Sequence, residues 1–119
     1  GRAPISNCLG AVAGGSAQCQ QQAEGTGSPA LYGGNQPNDN SGQLRFVQIR
    51  FTGFSASPNA EPQRLTTGGV GAGTRIENIQ VHNSGDDGIE IFGGTHNMRN
   101  IVITGADDDT LDTDFGYKG

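Results

Sequence analysis

Tryptophan is absent from this chain, and cysteine occurs only twice. The apolar share is 32%. That is too little, and too scattered, for the long apolar stripes that a helical bundle requires. No apolar run is long enough to span a membrane. Basic residues are nearly missing from one stretch: between Asp86 and Asp114 the only base is Arg99, against eight acidic residues. With a net charge of −5, such a surface repels nucleic-acid phosphates and anionic lipid heads. It favours cations or a positively charged partner. Neither His82 nor His96 stands in a zinc-type spacing with Cys8 or Cys19. The chain opens on Gly1 rather than Met, which reads as a processed product or an internal piece.

What the sequence does have is glycine, at 21 of 119 residues. Glycine supplies the positive φ of tight turns, so this abundance suits many short strands in one domain. Residues 1–41 read as an irregular segment with few core side chains, Ala30-Leu31-Tyr32 excepted. Cys8 and Cys19 bracket its Gly/Ala/Ser-rich part. A disulfide closing that loop in an oxidising compartment is one reading, and two free thiols is the other.

From residue 42 the texture changes. Leu44 to Phe54 alternates as a strand does, and a polar loop with Pro58 and Pro62 follows. The chain then repeats itself. Ile76-Glu77-Asn78-Ile79-Gln80-Val81 matches Met98-Arg99-Asn100-Ile101-Val102-Ile103 at an offset of 22. At the same offset Asp86-Asp87 falls on Asp108-Asp109, Ile89 on Leu111, Glu90 on Asp112 and Gly94 on Gly116. The Leu44 strand matches the Ile76 strand at an offset of 32. This predicts ten extra residues after Phe54, with Gly68-Gly69 in the place of Gly93-Gly94.

Such a period is too short for helix-pair repeats, and leucine-rich repeats need leucine at fixed positions that this chain lacks. The expectation is an all-β solenoid, a single-stranded parallel β-helix of about 22 residues per coil over residues 42–119. Ile76, Ile79, Val81, Ile89, Ile91, Met98, Ile101, Ile103 and Leu111 should point inward. The five phenylalanines, Phe46, Phe51, Phe54, Phe92 and Phe115, read as core or coil-edge packing, and both histidines as surface residues.

Val81 to Gly94, with its Gly85-Asp86-Asp87-Gly88, and Thr104 to Gly119 resemble a group of largely uncharacterised β-helix proteins. These are secreted or outer-membrane-associated in Gram-negative bacteria. Gly1 to Ile5, the two cysteines, Tyr32-Gly33-Gly34, Asn38 to Gly42 and Leu65 to Thr74 share the likeness. The resemblance implies a right-handed parallel β-helix, export to the cell surface and flanking coils at both ends. It implies no established activity.

The offset makes a physical demand, since stacked coils lie about 4.8 Å apart. Asp86 then faces Asp108, Asp87 faces Asp109, and Glu90 faces Asp112. Two unit charges at that distance repel by roughly 0.8 kcal/mol in water and roughly 3 kcal/mol at an effective dielectric near 20. Solvated turns, raised pKa values or a hard cation would each relieve this. A Ca²⁺-type ion would sit at Asp86, Asp87, Asp108 and Asp109, with Asp112 or Asp114 as a further ligand.

Two function classes follow. The first is a non-catalytic extracellular structural or binding solenoid with a cation-binding acidic face. Its open ends would join flanking coils or stack end to end into a filament. The second is a polysaccharide-active enzyme or its remnant, or a carbohydrate-binding module. Gly85-Asp86-Asp87-Gly88 is similar to the double-Asp motif of polygalacturonases, where paired carboxylates act as acid and base. Yet no carboxylate occupies Thr52 to Phe54, and Ala106 to Thr110 carries no Gly-His-Gly. The glycine-rich Gly69 to Thr74 is no phosphate loop, because a strand follows it.

Overall fold

The computed structural model describes residues 1–24, 26, 29–52 and 65–119. Eight strands occur among them: β1 (Gln21–Gln22), β2 (Leu31–Tyr32), β3 (Gln43–Thr52), β4 (Leu65–Gly68), β5 (Arg75–Ser84), β6 (Ile89–Phe92), β7 (Asn97–Ala106) and β8 (Leu111–Asp114). After a short antiparallel β1–β2 hairpin the chain alternates between two parallel sheets, ordered β3-β5-β7 and β4-β6-β8. Each passage through both sheets makes one rung. The registers are those of the sequence repeat: Ile76 pairs with Met98, Ile79 with Ile101, and Glu90 with Asp112.

The core forms where the two sheets face each other. Ile76, Ile79, Val81, Ile89 and Ile91 of the middle rung are buried, flanked by Leu44, Val47, Ile49 and Leu65 on one side and Met98, Ile101 and Ile103 on the other. Leu111 is a correction. It pairs with Ile89 but is 53% exposed, because among the described residues no strand covers the outer edge of β8.

Each long strand bends twice at residues that leave the pairing ladder. The first bend has φ of 55° at Phe46, 57° at Asn78 and 55° at Asn100. The second has 52° at Phe51, 57° at Asn83 and 67° at Gly105. Asparagine tolerates this left-handed region and bonds there: Asn100 Nδ2 donates to Asn78 Oδ1 at 3.0 Å. The first rung puts phenylalanine at both bends. Phe46 and Phe51 are therefore turned outward, 75% and 70% exposed, and are not core packing. Arg45 and Arg50 lie over their rings. Phe54, Pro58 and Pro62 lie outside the described residues. Phe46→Asn should extend the asparagine ladder and relieve a left-handed bulky residue, adding about 1 kcal/mol and a few degrees of melting temperature. A lower midpoint in a thermal melt would mean that the ring packs usefully where it is.

The ten extra residues are divided. Eight fall between β3 and β4, and two in the 69–74 turn. The glycine register also shifts by one: Gly68 pairs with Phe92, and Gly69, at φ 52°, matches Gly93 at 61°.

The N-terminal segment holds more core than its composition suggests. Ala3, Ile5, Cys19 and Tyr32 are buried, and Ile5, Cys19 and Tyr32 cluster with Phe92. Cys8 and Cys19 are disulfide-bonded. Residues 1–6 form a strap that crosses all three rungs. The Gly1 amino group donates to Gly68 O at 2.8 Å and Ala3 N to Gly69 O at 2.8 Å. Gly94 N donates to Pro4 O at 2.8 Å, and Ser6 N to Phe115 O at 2.9 Å. The strap comes this close because glycine occupies the matching corner of the first two rungs, at Gly69 and Gly93, where the third rung has Phe115. A Cβ on Gly93 would meet Ile5 Cγ2 at 2.7 Å and Phe115 O at 2.9 Å.

Candidate functional site

Strand β6 reads Ile89-Glu90-Ile91-Phe92, and a strand sends alternate side chains to opposite faces. The isoleucines enter the core between the sheets, while Phe92 joins the N-terminal cluster. On the outer face of this sheet Glu90 is only 6% exposed. Thr66 and Asp112 are its neighbours in register.

The Asp86-Asp87-Gly88 turn precedes β6. Gly88 is needed there, because a Cβ would meet Thr110 O at 2.7 Å and Ile103 Cγ2 at 2.5 Å. Gly88 N donates to Asp109 O at 2.9 Å, and Asp109 N donates to Asp87 Oδ1 at 2.9 Å. The hydroxyl of Ser84 donates to Asp87 O. Asp87 is thereby fixed and buried at the junction of two rungs.

Two overlapping carboxylate groups result, in each of which one oxygen per residue lies within 4.8 Å of the others. One is Asp86, Asp87 and Asp108; the other is Asp87, Glu90 and Asp112. Four of the five carboxylates expected from the sequence, Asp86, Asp87, Asp108 and Asp112, are thus brought together around Asp87. Asp109 contributes its backbone N–H, and its carboxylate belongs to neither group. Asp114 pairs with Phe92 and is also outside them. Glu90 is the site residue the sequence reading left out. Its signal was present, since the offset already set it against Asp112.

The electrostatics are those of acids without bases. Burial raises the pKa of Asp87, and Asp86, Asp112 and Asp108 add to the rise, while the bond from Asp109 N opposes it. Burial pushes Glu90 up to about 8, helped by Glu24, Asp87, Asp112 and Asp114. Glu90 Oε2 is buried with no hydrogen-bond partner among the described residues. The ion pairs among the described residues, Arg45–Glu77 and Arg75–Glu77, lie on the other sheet.

The histidines part company. His82 is half-exposed, with Nδ1 2.7 Å from Thr104 Oγ1 and its ring edge against Phe51. His96 is a correction, being fully buried between Thr67 Oγ1 at 3.4 Å and Val70 O at 3.3 Å. Burial lowers its pKa, against a rise from Val70 O. It is a core histidine, with Tyr117 packed on its ring.

Residues 1–119 match the family model for pectate-lyase-like β-helix domains. Neither the curated proteins nor the solved structures offer a match.

Proposed function

The chain belongs to the pectate-lyase-like β-helix domain family, and from that premise we propose that it is a non-catalytic extracellular β-helix segment whose acidic outer face holds a divalent cation. In this reading the coils are right-handed, with about 22 residues each. Ca²⁺ is the ion of choice, because the donors are carboxylate oxygens alone. Asp87, Glu90 and Asp112 form the inner set, with Asp86 and Asp108 at the mouth.

The observation that carries this reading is Glu90 Oε2, a buried carboxylate oxygen without a hydrogen-bond partner inside a cluster of carboxylates. Leaving such an oxygen unpaired is costly, and among the described residues no base is ion-paired to it. A cation would meet that need and remove the repulsion across the rungs. The expected result is a melting midpoint raised by Ca²⁺ and lowered again by excess chelator. At a free concentration of a hundred times Kd the gain is about 2.7 kcal/mol. Equal midpoints with chelator and with millimolar Ca²⁺ would end this proposal.

Secretion and end-to-end joining belong to the same reading. The Cys8–Cys19 disulfide supports an oxidising compartment. The outer edges of β3 and β7 are open strands that further coils, or a second copy, would extend. Sedimentation velocity that returns a single monomer at every concentration would remove self-stacking.

One observation favours a second reading, a polysaccharide-active site. With its pKa near 8, Glu90 is protonated at neutral pH beside Asp87 and Asp112, which suits a proton donor. Release of reducing ends from pectin or alginate, lost in Glu90→Gln, would replace the binding role with a catalytic one.

A further inference from the structure

Beyond the acidic turn, the outer face of the β4-β6-β8 sheet carries a second feature. The register places Gly68 where the next rung has Phe92. A Cβ at Gly68 would meet the Tyr32 ring at 2.6 Å, so Tyr32 of β2 leans into the space left by the missing side chain. It stacks on Phe92 with centroids 6.1 Å apart, and Phe92 contacts Phe115 at 5.2 Å. Phe115 holds a φ of 51°, a conformation that aromatic residues rarely adopt.

These rings do not fill the space under the hairpin. A cavity of about 400 Å³ remains, lined by Gln21, Ala23, Glu24, Tyr32, Phe92 and Phe115 among others. Its surroundings are anionic. Glu24 is part of the wall. Asp114 pairs with Phe92 across the ladder. Among the described residues no lysine, arginine or histidine lines this cavity. A neighbouring cavity of about 390 Å³ shares Tyr32 and Phe92 but has the Gly1 amino group in its wall, which disfavours a cation there.

We propose that the cavity walled by Tyr32, Phe92, Phe115 and Glu24 binds small organic ammonium ions. Aromatic faces attract a cation through their quadrupole, and a quaternary ammonium suits several rings at once because it needs no hydrogen-bond acceptor. The carboxylates provide the counter-charge. A volume of this size falls in the ordinary range of small-molecule sites. The ligand class is therefore a compact alkylammonium, as carried by choline-like head groups or N-methylated amines. Neutral sugars and uronates lack the charge that Glu24 and Asp114 select.

The test is calorimetric titration of the whole chain in excess chelator, so that any divalent ion is removed. The probes are choline and its uncharged isostere 3,3-dimethylbutan-1-ol. Choline should bind about ten-fold more tightly than the isostere. Glu24→Gln, on an exposed position, should fold normally and lower that ratio several-fold, and Phe115→Leu should weaken choline alone. Equal affinity for the two probes, no binding of either, or a ratio unchanged in Glu24→Gln would overturn the proposal. The outcome is independent of Ca²⁺, since the titration is run without it.

Discussion

In excess chelator the chain should lose stability as pH rises from about 5 to about 9, and Glu90→Gln should not. The folded state holds Glu90 at a pKa of about 8 against an unfolded value of 4.5, so the native chain binds the extra proton between those limits. The associated stability is complete below 4.5 and is lost as pH climbs through 8. A rise of that size corresponds to something on the order of 4 kcal/mol, or roughly 15 °C of midpoint for a domain of this length. Asp87, also raised by burial, bends the curve the same way. His96 acts on the acid side and with the opposite sign. Its folded pKa lies below 6.5, so its contribution is present above 6.5 and is lost as pH falls below it. The wild-type profile should therefore be a dome. Glu90→Gln should keep the acid limb and flatten the alkaline one, because an amide carries no charge to desolvate and can donate to Asp87 or Asp112. Millimolar Ca²⁺ should restore the wild type at pH 8 and leave the variant unmoved. A variant whose alkaline limb tracks the wild type would place the titration elsewhere.

The second large effect is expected at Gly93. Gly93→Ala puts a Cβ on a residue with φ of 61° and drives it against Ile5 and the carbonyl of Phe115. Left-handed strain of about 1–2 kcal/mol adds to overpacking of about 1–3 kcal/mol. A loss near 3–4 kcal/mol should follow, together with faster proteolysis of the strap, whose contact with Gly93 is the one disturbed. Gly10→Ala is the comparator: φ is 71° there, but nothing lies within 4 Å of the added carbon. It should show the strain alone. If both variants melt alike, the strap does not press on Gly93.

Much of this architecture could be read from residue order, because a repeat carries its own register. The offset of 22 was enough to pair Ile79 with Ile101 and Glu90 with Asp112, and the structure has those pairs. It also identified four of the five carboxylates that gather around Asp87. What escaped has a physical cause in each case. Phe46 and Phe51 occupy bends where the other rungs have Asn or Gly, and hydrophobicity does not report φ. His96 looked like a surface residue because its partners, Thr67 and Val70, are nearly thirty positions away and belong to the previous rung. Glu90 was paired with Asp112, yet its burial depends on what covers the outer face, and the repeat describes only what lies within it. The strap was missed for the same reason. Its bonds run across the rungs, from residues 1–6 to residues 68–116, and no periodicity encodes them.

That crosswise strap bears on the order in which the molecule is made. Residues 1–6 are synthesised well before the residues they bond to, since Ser6 bonds to Phe115 on the third rung. Closing so long a loop is slow, and it follows the winding of all three rungs rather than guiding it. Until β6 and the turn after β8 are in place, Ile5 lacks the Phe92 and Phe115 part of its cluster. Before then the Cys8–Cys19 bond is a local constraint that the segment can form within itself.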